Sequence, residues 1–242
     1  MSILKPICIV PLASAVKAPS APKLTYRGGP VIKNVAVSTL FWGASWSAAP
    51  AGQLTGKINQ FFDAIVVSSY LDQLSEYSVA GQPIGRGKRV GTSIASAQLA
   101  ATVDDAAIQQ FVAQQIASAA VPAAGPDSLY FVFVESGVVV DQGGSASCSE
   151  FCGYHDAAGG TTYYAVVPYP DCSGCSSGLA ALHAITTTSS HELAEAVTDP
   201  VPGTGWYDDA NGEIGDICAW QTKSVAGSTV QLLWSNATGK CV

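Results

Sequence analysis

One stretch, Ser190-His191-Glu192-Leu193-Ala194-Glu195-Ala196-Val197-Thr198-Asp199-Pro200, has side chains of the right type and spacing to bind and use a metal ion. In a helix, His191 and Glu195 stand one turn apart on the same face, the i,i+4 spacing at which two ligands reach one ion, and Glu192 projects beside them. The layout is that of H-E-x-x-H with Glu in place of the second His. The chemistry in view is attack by an ion-activated water, with Glu192 as general base. The plainer alternative is a buried helix in which His191 and Glu195 only bond to one another.

A third ligand is sought among Asp199, Asp208, Asp209, Glu213 and Asp216, which follow closely in a chain that is only 12% charged. Converging carboxylates repel unless a cation lies between them; spread out, they make an ordinary solvated loop. Asp199 is two turns from His191, about 12 Å along a helix axis, too far to share an ion. Asp216 returns on a loop anchored by Cys218 and is the better third ligand. Asp199 sits where the helix dipole disfavours an anion. It is expected to accept hydrogen bonds from the following loop, or to bind a second ion such as Ca²⁺ with Asp208, Asn211 or Glu213.

With Zn²⁺ held by His191, Glu195 and Asp216, one position remains for a water of lowered pKa, whose proton Glu192 takes and passes to a leaving amine. Two anionic ligands weaken the Lewis acid and admit Mn²⁺ or Ca²⁺. His183, two turns before His191, is expected to be structural. So is His155, hydrogen-bonded within a disulfide-tied loop. Substrate binding is the alternative role for both.

Of seven cysteines, Cys148, Cys152, Cys172, Cys175, Cys218 and Cys241 fall late in the chain, while Cys8 stands alone. The simplest pairing is local: Cys148 with Cys152, Cys172 with Cys175 and Cys218 with Cys241, in an oxidising compartment. Two other readings compete. Cys172-Ser173-Gly174-Cys175 before a helix fits a thiol–disulfide oxidoreductase, and Cys148, Cys152, Cys172 and Cys175 fit a structural zinc site.

These groups need a scaffold. At 242 residues and 48% hydrophobic, the chain can bury a large core, and after residue 23 no linker divides it, so residues 24–242 are expected to form one domain. Residues 1–23 read as a loosely held arm or a poor signal or pro-segment that would carry Cys8 away. A net charge of −7 leaves no basic stripe for nucleic acid, and the apolar runs are too short to span a membrane. Asn236-Ala237-Thr238 is a glycosylation sequon.

Periodicity predicts a strand over 31–42, a helix over 50–77, a strand over 84–93 and a capped helix from Thr102-Val103-Asp104-Asp105 to about Ala119. A central strand over 128–140, a strand over 163–169, the motif helix over 178–199 and a late strand over 230–234 follow. Arg86, Lys88 and Arg89, among glycines, read as a solvated sheet edge and not a phosphate loop. This order predicts an α/β fold: a twisted mixed sheet, packed helices, a zincin-like motif helix and disulfide-tied loops in the C-terminal half.

Leu24-Thr25-Tyr26-Arg27-Gly28-Gly29-Pro30, Leu40-Phe41-Trp42-Gly43, Glu150-Phe151-Cys152-Gly153-Tyr154-His155 and the Cys172/Cys175 pair resemble the exordium, or phosphate-induced, family of secreted proteins. The likeness runs from about Leu24 to the C-terminus. Ser190 to Pro200, Trp206 to Asp208 and Gly212 to Cys218 match the S-H-E-L-x-E-A-x-T-D-P, W-Y-D and G-E-I-G-D-x-C patterns of its microbial branch. The resemblance implies secretion, paired cysteines and metallopeptidase-like chemistry, but the family gives no substrate; a peptide or protein substrate and a monomer are expected from the motif reading. The plant branch lacks the His-Glu motif and implies the competing reading, a secreted binding or signalling protein with at most a structural metal.

Overall fold

The computed structural model describes residues 9–16 and 18–242. Cys8 and the rest of the first eight residues lie outside them, and with them the reading of Cys8. A six-stranded sheet organises the molecule: β1 (Ile9–Pro11), β2 (Ala36–Trp42), β3 (Lys88–Ala95), β4 (Ser128–Val134), β5 (Phe151–Ala158) and β6 (Thr162–Pro168). Their order across the sheet is β1-β5-β6-β4-β2-β3. The strands from β6 to β3 are parallel, and β5 and β1 pair antiparallel.

Alternation along β4 divides the core. Leu129, Phe131 and Phe133 face the layer containing α1 (Gly52–Ile65), while Tyr130, Val132 and Val134 face Ile108, Phe111 and Val112. A parallel strand buried on both faces is apolar throughout, as this run is. Phe62 packs tilted against Phe131 and edge-on to Phe133, with centroids at 4.6 and 6.3 Å. Burial of each such ring contributes roughly 2–3 kcal/mol.

The expected helix over 50–77 is broken. α1 ends at Ile65, Ser68 caps α2 (Ser69–Gln73) by accepting from Tyr70 N, and a 3₁₀ turn follows. The expected capped entry within residues 102–105 is present, and the cap is Asp104, which accepts from Ala107 N at the start of α3 (Asp105–Ala117). Arg86 and Arg89 pair with Asp72 and Asp63 near the sheet edge.

Two helices complete the scaffold, the short α4 (Ser173–Ser176) and the long α5 (Ala181–Thr198), the motif helix. The late strand is one arm of a hairpin, β7 (Thr222–Val225) with β8 (Ser228–Gln231), and β8 packs along α5. β5 is the main departure from expectation, because a segment read as a disulfide-tied loop is a buried strand. β1 is another: the arm is tied onto β5 as the outermost strand, and Trp220 Nε1 donates to Pro11 O. The sheet therefore extends past the expected boundary at residue 24.

The cysteines pair as Cys148–Cys172, Cys152–Cys175 and Cys218–Cys241. Only the last matches the local expectation. Cys148 and Cys152, at the entry to β5, meet α4 across a gap, so each bonds to a partner 24 or 23 residues away instead of its near neighbour. This pairing leaves no Cys172/Cys175 redox pair and takes up the sulfurs of the alternative zinc site. Asn236 is committed as well: its side-chain amide donates to Leu24 O and accepts from Leu24 N, so the sequon amide is part of a clamp.

Candidate metal centre

α5 is buried from Ala184 to Thr198, although it is rich in hydroxyls. Several of these hydroxyls are satisfied close by, with Thr187 donating to His183 O, Ser190 to Thr187 O and Thr186 to Thr229 O, while Ser189 Oγ is buried without a partner. A polar helix can be buried on these terms. β5 and β6 cover one side of it and β8 another.

His191, Glu192 and Glu195 project from this helix, and all three side chains are fully buried. Gly153 and His155, on the same face of β5, lie against them. A Cβ on Gly153 would meet Thr188 Cγ2 at 2.6 Å and Glu192 Oε1 at 3.0 Å, so only glycine lets the helix come this close. Gly215 closes the other side, where a Cβ would stand 2.8 Å from both Glu195 Oε1 and His191 Nδ1.

Two sets of ligand atoms result, each within 4.8 Å internally: His191, Glu195 and Asp216, and His155, Glu192 and Glu195. The first is the set the sequence anticipates. His191 Nε2 is 2.8 Å from Glu195 Oε1 and 3.7 Å from Asp216 Oδ1, although the approach to Glu195 lacks the alignment of a hydrogen bond. In the second set, His155 Nδ1 is 3.1 Å from Glu192 Oε2 and 3.7 Å from Glu195 Oε2. Sequence reasoning missed this role for His155. The available signal was the period-two alternation Gly153-x-His155-x-Ala157 ahead of the Gly159-Gly160 turn.

Glu192 Oε1 and Glu195 Oε2 are buried and have no hydrogen-bond partner. Burial pulls the His155 imidazole pKa down, but Glu192, Glu195 and Asp199 outweigh it and lift it to about 9. For His191, too, the carboxylates outweigh burial and the direction is upward. Burial, opposed by His155, raises Glu192. Asp216 rises through burial and its proximity to Glu195. The cluster thus favours holding positive charge, from a proton or from a metal ion.

The other expected site residues lie elsewhere or act otherwise. His183 is exposed at the start of α5, away from both sets. Asp199 takes the first of its two expected roles, accepting from the amides of Gly203, Thr204 and Gly205, and burial still raises its pKa against those bonds. Asp208 accepts from the amides of Lys23, Ala210 and Asn211. Glu213 is buried with Oε1 3.6 Å from His155 Nε2. Among the described residues, Asp199, Asp208 and Glu213 do not come together as a group of three acidic, His or Cys ligands.

Asp216 is the one member of either set with an exposed side chain, at 20%. It lines a cavity of about 450 Å³ between the arm, at Pro11, Val16 and Pro19, and the loop carrying Asn211 and Ile217. No helix among the described residues is long and apolar enough to cross a membrane, and the three disulfides are compatible with an extracellular protein. No protein-family model, curated protein or solved structure matches the chain.

Proposed function

We propose that this is a secreted metal-dependent hydrolase that cleaves a peptide or protein, with zinc-metallopeptidase chemistry as its closest description. The observation that carries the reading is the pair of buried, unpartnered carboxylate oxygens, Glu192 Oε1 and Glu195 Oε2, beside two imidazoles. An interior that leaves such oxygens without donors is stabilised by a cation. The donor set of imidazole and carboxylate suits Zn²⁺ or Mn²⁺ better than Ca²⁺. When bound, the ion supplies Lewis acidity and lowers the pKa of a coordinated water.

The chain's own residues orient the site and move protons. Asp199 O holds the His155 ring through Nε2 at 3.1 Å, and the amides of Gly215 and Asp216 hold Glu195 through Oε1 at 3.2 and 3.1 Å. Glu192 shares a proton with His155, and Asp216 faces the cavity from which a substrate would approach. The resemblance of the motif to the microbial exordium-like pattern supports the same reading, as do the disulfides for secretion.

A second reading has an observation in its favour. His155, His191, Glu192 and Glu195 have no exposed side-chain surface, which suits a structural ion in a secreted binding protein. Elemental analysis of the purified chain, followed by a peptide-library assay with chelator and Zn²⁺ add-back, separates the two. Zn²⁺ with chelator-sensitive cleavage supports the hydrolase. Zn²⁺ without cleavage leaves the binding protein, and absence of any metal after reconstitution sinks both.

A further inference from the structure

We propose that the cation is held by His155 Nδ1 with Glu192 and Glu195 Oε2, and not by the His191, Glu195 and Asp216 set. The hydrogen-bond polarity around the two imidazoles leaves a lone pair facing open carboxylate oxygens only at His155. The inference rests on the cation-binding part of the reading above and is independent of hydrolysis.

A neutral imidazole has one nitrogen that donates and one that accepts or ligates, and the partner of the first fixes which is which. His155 Nε2 lies 3.1 Å from the carbonyl oxygen of Asp199, which can only accept, and Glu213 Oε1 is 3.6 Å from the same nitrogen. The hydrogen is therefore on Nε2. Nδ1 is left with its lone pair toward Glu192 and Glu195. This is the usual orientation of a metal-binding histidine, with its second nitrogen donating to a backbone carbonyl.

His191 is polarised the other way, by Gln231 on β8. Gln231 Nε2 is 2.8 Å from His191 Nδ1. The amide cannot turn over, because its nitrogen donates to Gly215 O at 2.9 Å while its oxygen accepts from Trp220 N at 3.0 Å. Reversal would set oxygen against oxygen and N–H against N–H. The remaining amide hydrogen points at Nδ1, so Nδ1 is the acceptor and Nε2 carries the ring hydrogen. A nitrogen bearing hydrogen does not ligate.

Glu195 divides in the same sense. Oε1 accepts from the amides of Gly215 and Asp216 and faces His191, while Oε2 has no donor and faces His155. The second unpartnered oxygen, Glu192 Oε1, lies on this side too, beneath Gly153. Glu192 is then a ligand and not the base, and His191 is a positioning residue facing Glu195.

Long-range ¹H–¹⁵N spectra of the full chain labelled at histidine, titrated with Zn²⁺ alone, test the assignment without any substitution. The expected result is a metal-induced shift at His155 Nδ1, with His191 kept as the Nε2–H tautomer and His183 unchanged. A shift at His191 Nε2, or no response of any ring nitrogen to excess Zn²⁺, overturns it. Two substitutions provide a second readout. Zn²⁺ affinity is expected to fall more than about 100-fold in Glu192→Gln and less than about 10-fold in Asp216→Asn, against the 10–100-fold typical of an outer-shell partner. The reverse order overturns the assignment. Zn²⁺ at His155 without peptide cleavage supports it while removing the hydrolase reading.

Discussion

Gly153 and His155 point from one face of β5 toward Glu192, and at this scale backbone space and ring polarity matter more than charge count. Adding a methyl at Gly153 forces it against Thr188 Cγ2 and Val166 O, at 2.6 and 3.1 Å. Gly153→Ala should therefore destabilise the fold by about 1–3 kcal/mol, the usual range for overpacking, as read by thermal or urea unfolding. His191, Glu192 and Glu195 were legible in the sequence because helical spacing places them together whatever surrounds them. His155 was not, since its bond to Glu192 spans 37 residues and depends on which face of a strand it occupies. Gln231, 40 residues from His191, is equally silent in the sequence.

The motif helix ends on an anion at the negative end of its own dipole, and three amides of the following turn offset that. Asp199→Ala leaves those amides without their acceptor and should cost about 2–4 kcal/mol at neutral pH, measured by chemical denaturation. The loop beyond it is held by Asp208. Burial raises this carboxyl, but the amides of Lys23, Ala210 and Asn211 outweigh it and bring the net shift below the ordinary aspartate value. A lowered folded-state pKa gives stability that is present above the unfolded value and lost as pH falls through the folded one. Asp208→Ala should therefore cost about 1–2 kcal/mol at pH 7, with the difference from the unaltered chain vanishing below the aspartate range. A gap that persists at low pH would contradict this. Local signals predicted a capped entry within Thr102-Val103-Asp104-Asp105, where Asp104 is the cap, but read Ser68 as part of one long helix because the apolar pattern continues across the break.

Across the whole molecule, two disulfides fasten the entry of β5 to α4, and the third ties Cys218 to Cys241. Peptide mapping under non-reducing conditions should recover Cys148–Cys172 and Cys152–Cys175 and no Cys172–Cys175 link. Each bridge joins cysteines 24 or 23 positions apart. Removing one as a Cys→Ser pair should cost about 3 kcal/mol on chain-entropy grounds. The metal acts at the same scale. Because the cluster is buried, a chelator should lower the unfolding temperature of metal-loaded protein, and Zn²⁺ add-back should restore it. An unfolding temperature indifferent to both would remove the cation reading.

The sequence by itself determined the α/β class, the central apolar strand, the motif helix and the meeting of His191 with Glu195, because hydrophobic period and i,i+4 spacing act locally; Asp216 was anticipated, but its approach on a separate loop is a tertiary contact. It put disulfides first among three readings of the late cysteines, and the structure decided for them. Which cysteines pair, that 151–158 is a strand carrying His155, and that the arm joins the sheet were decided by tertiary structure. The physical reason is the same for all three. Each depends on two segments meeting across a strand face or a gap, and neither segment's own pattern records where the other will lie. The two competing ligand sets follow from that meeting, as does the fixed amide of Gln231 that tells them apart.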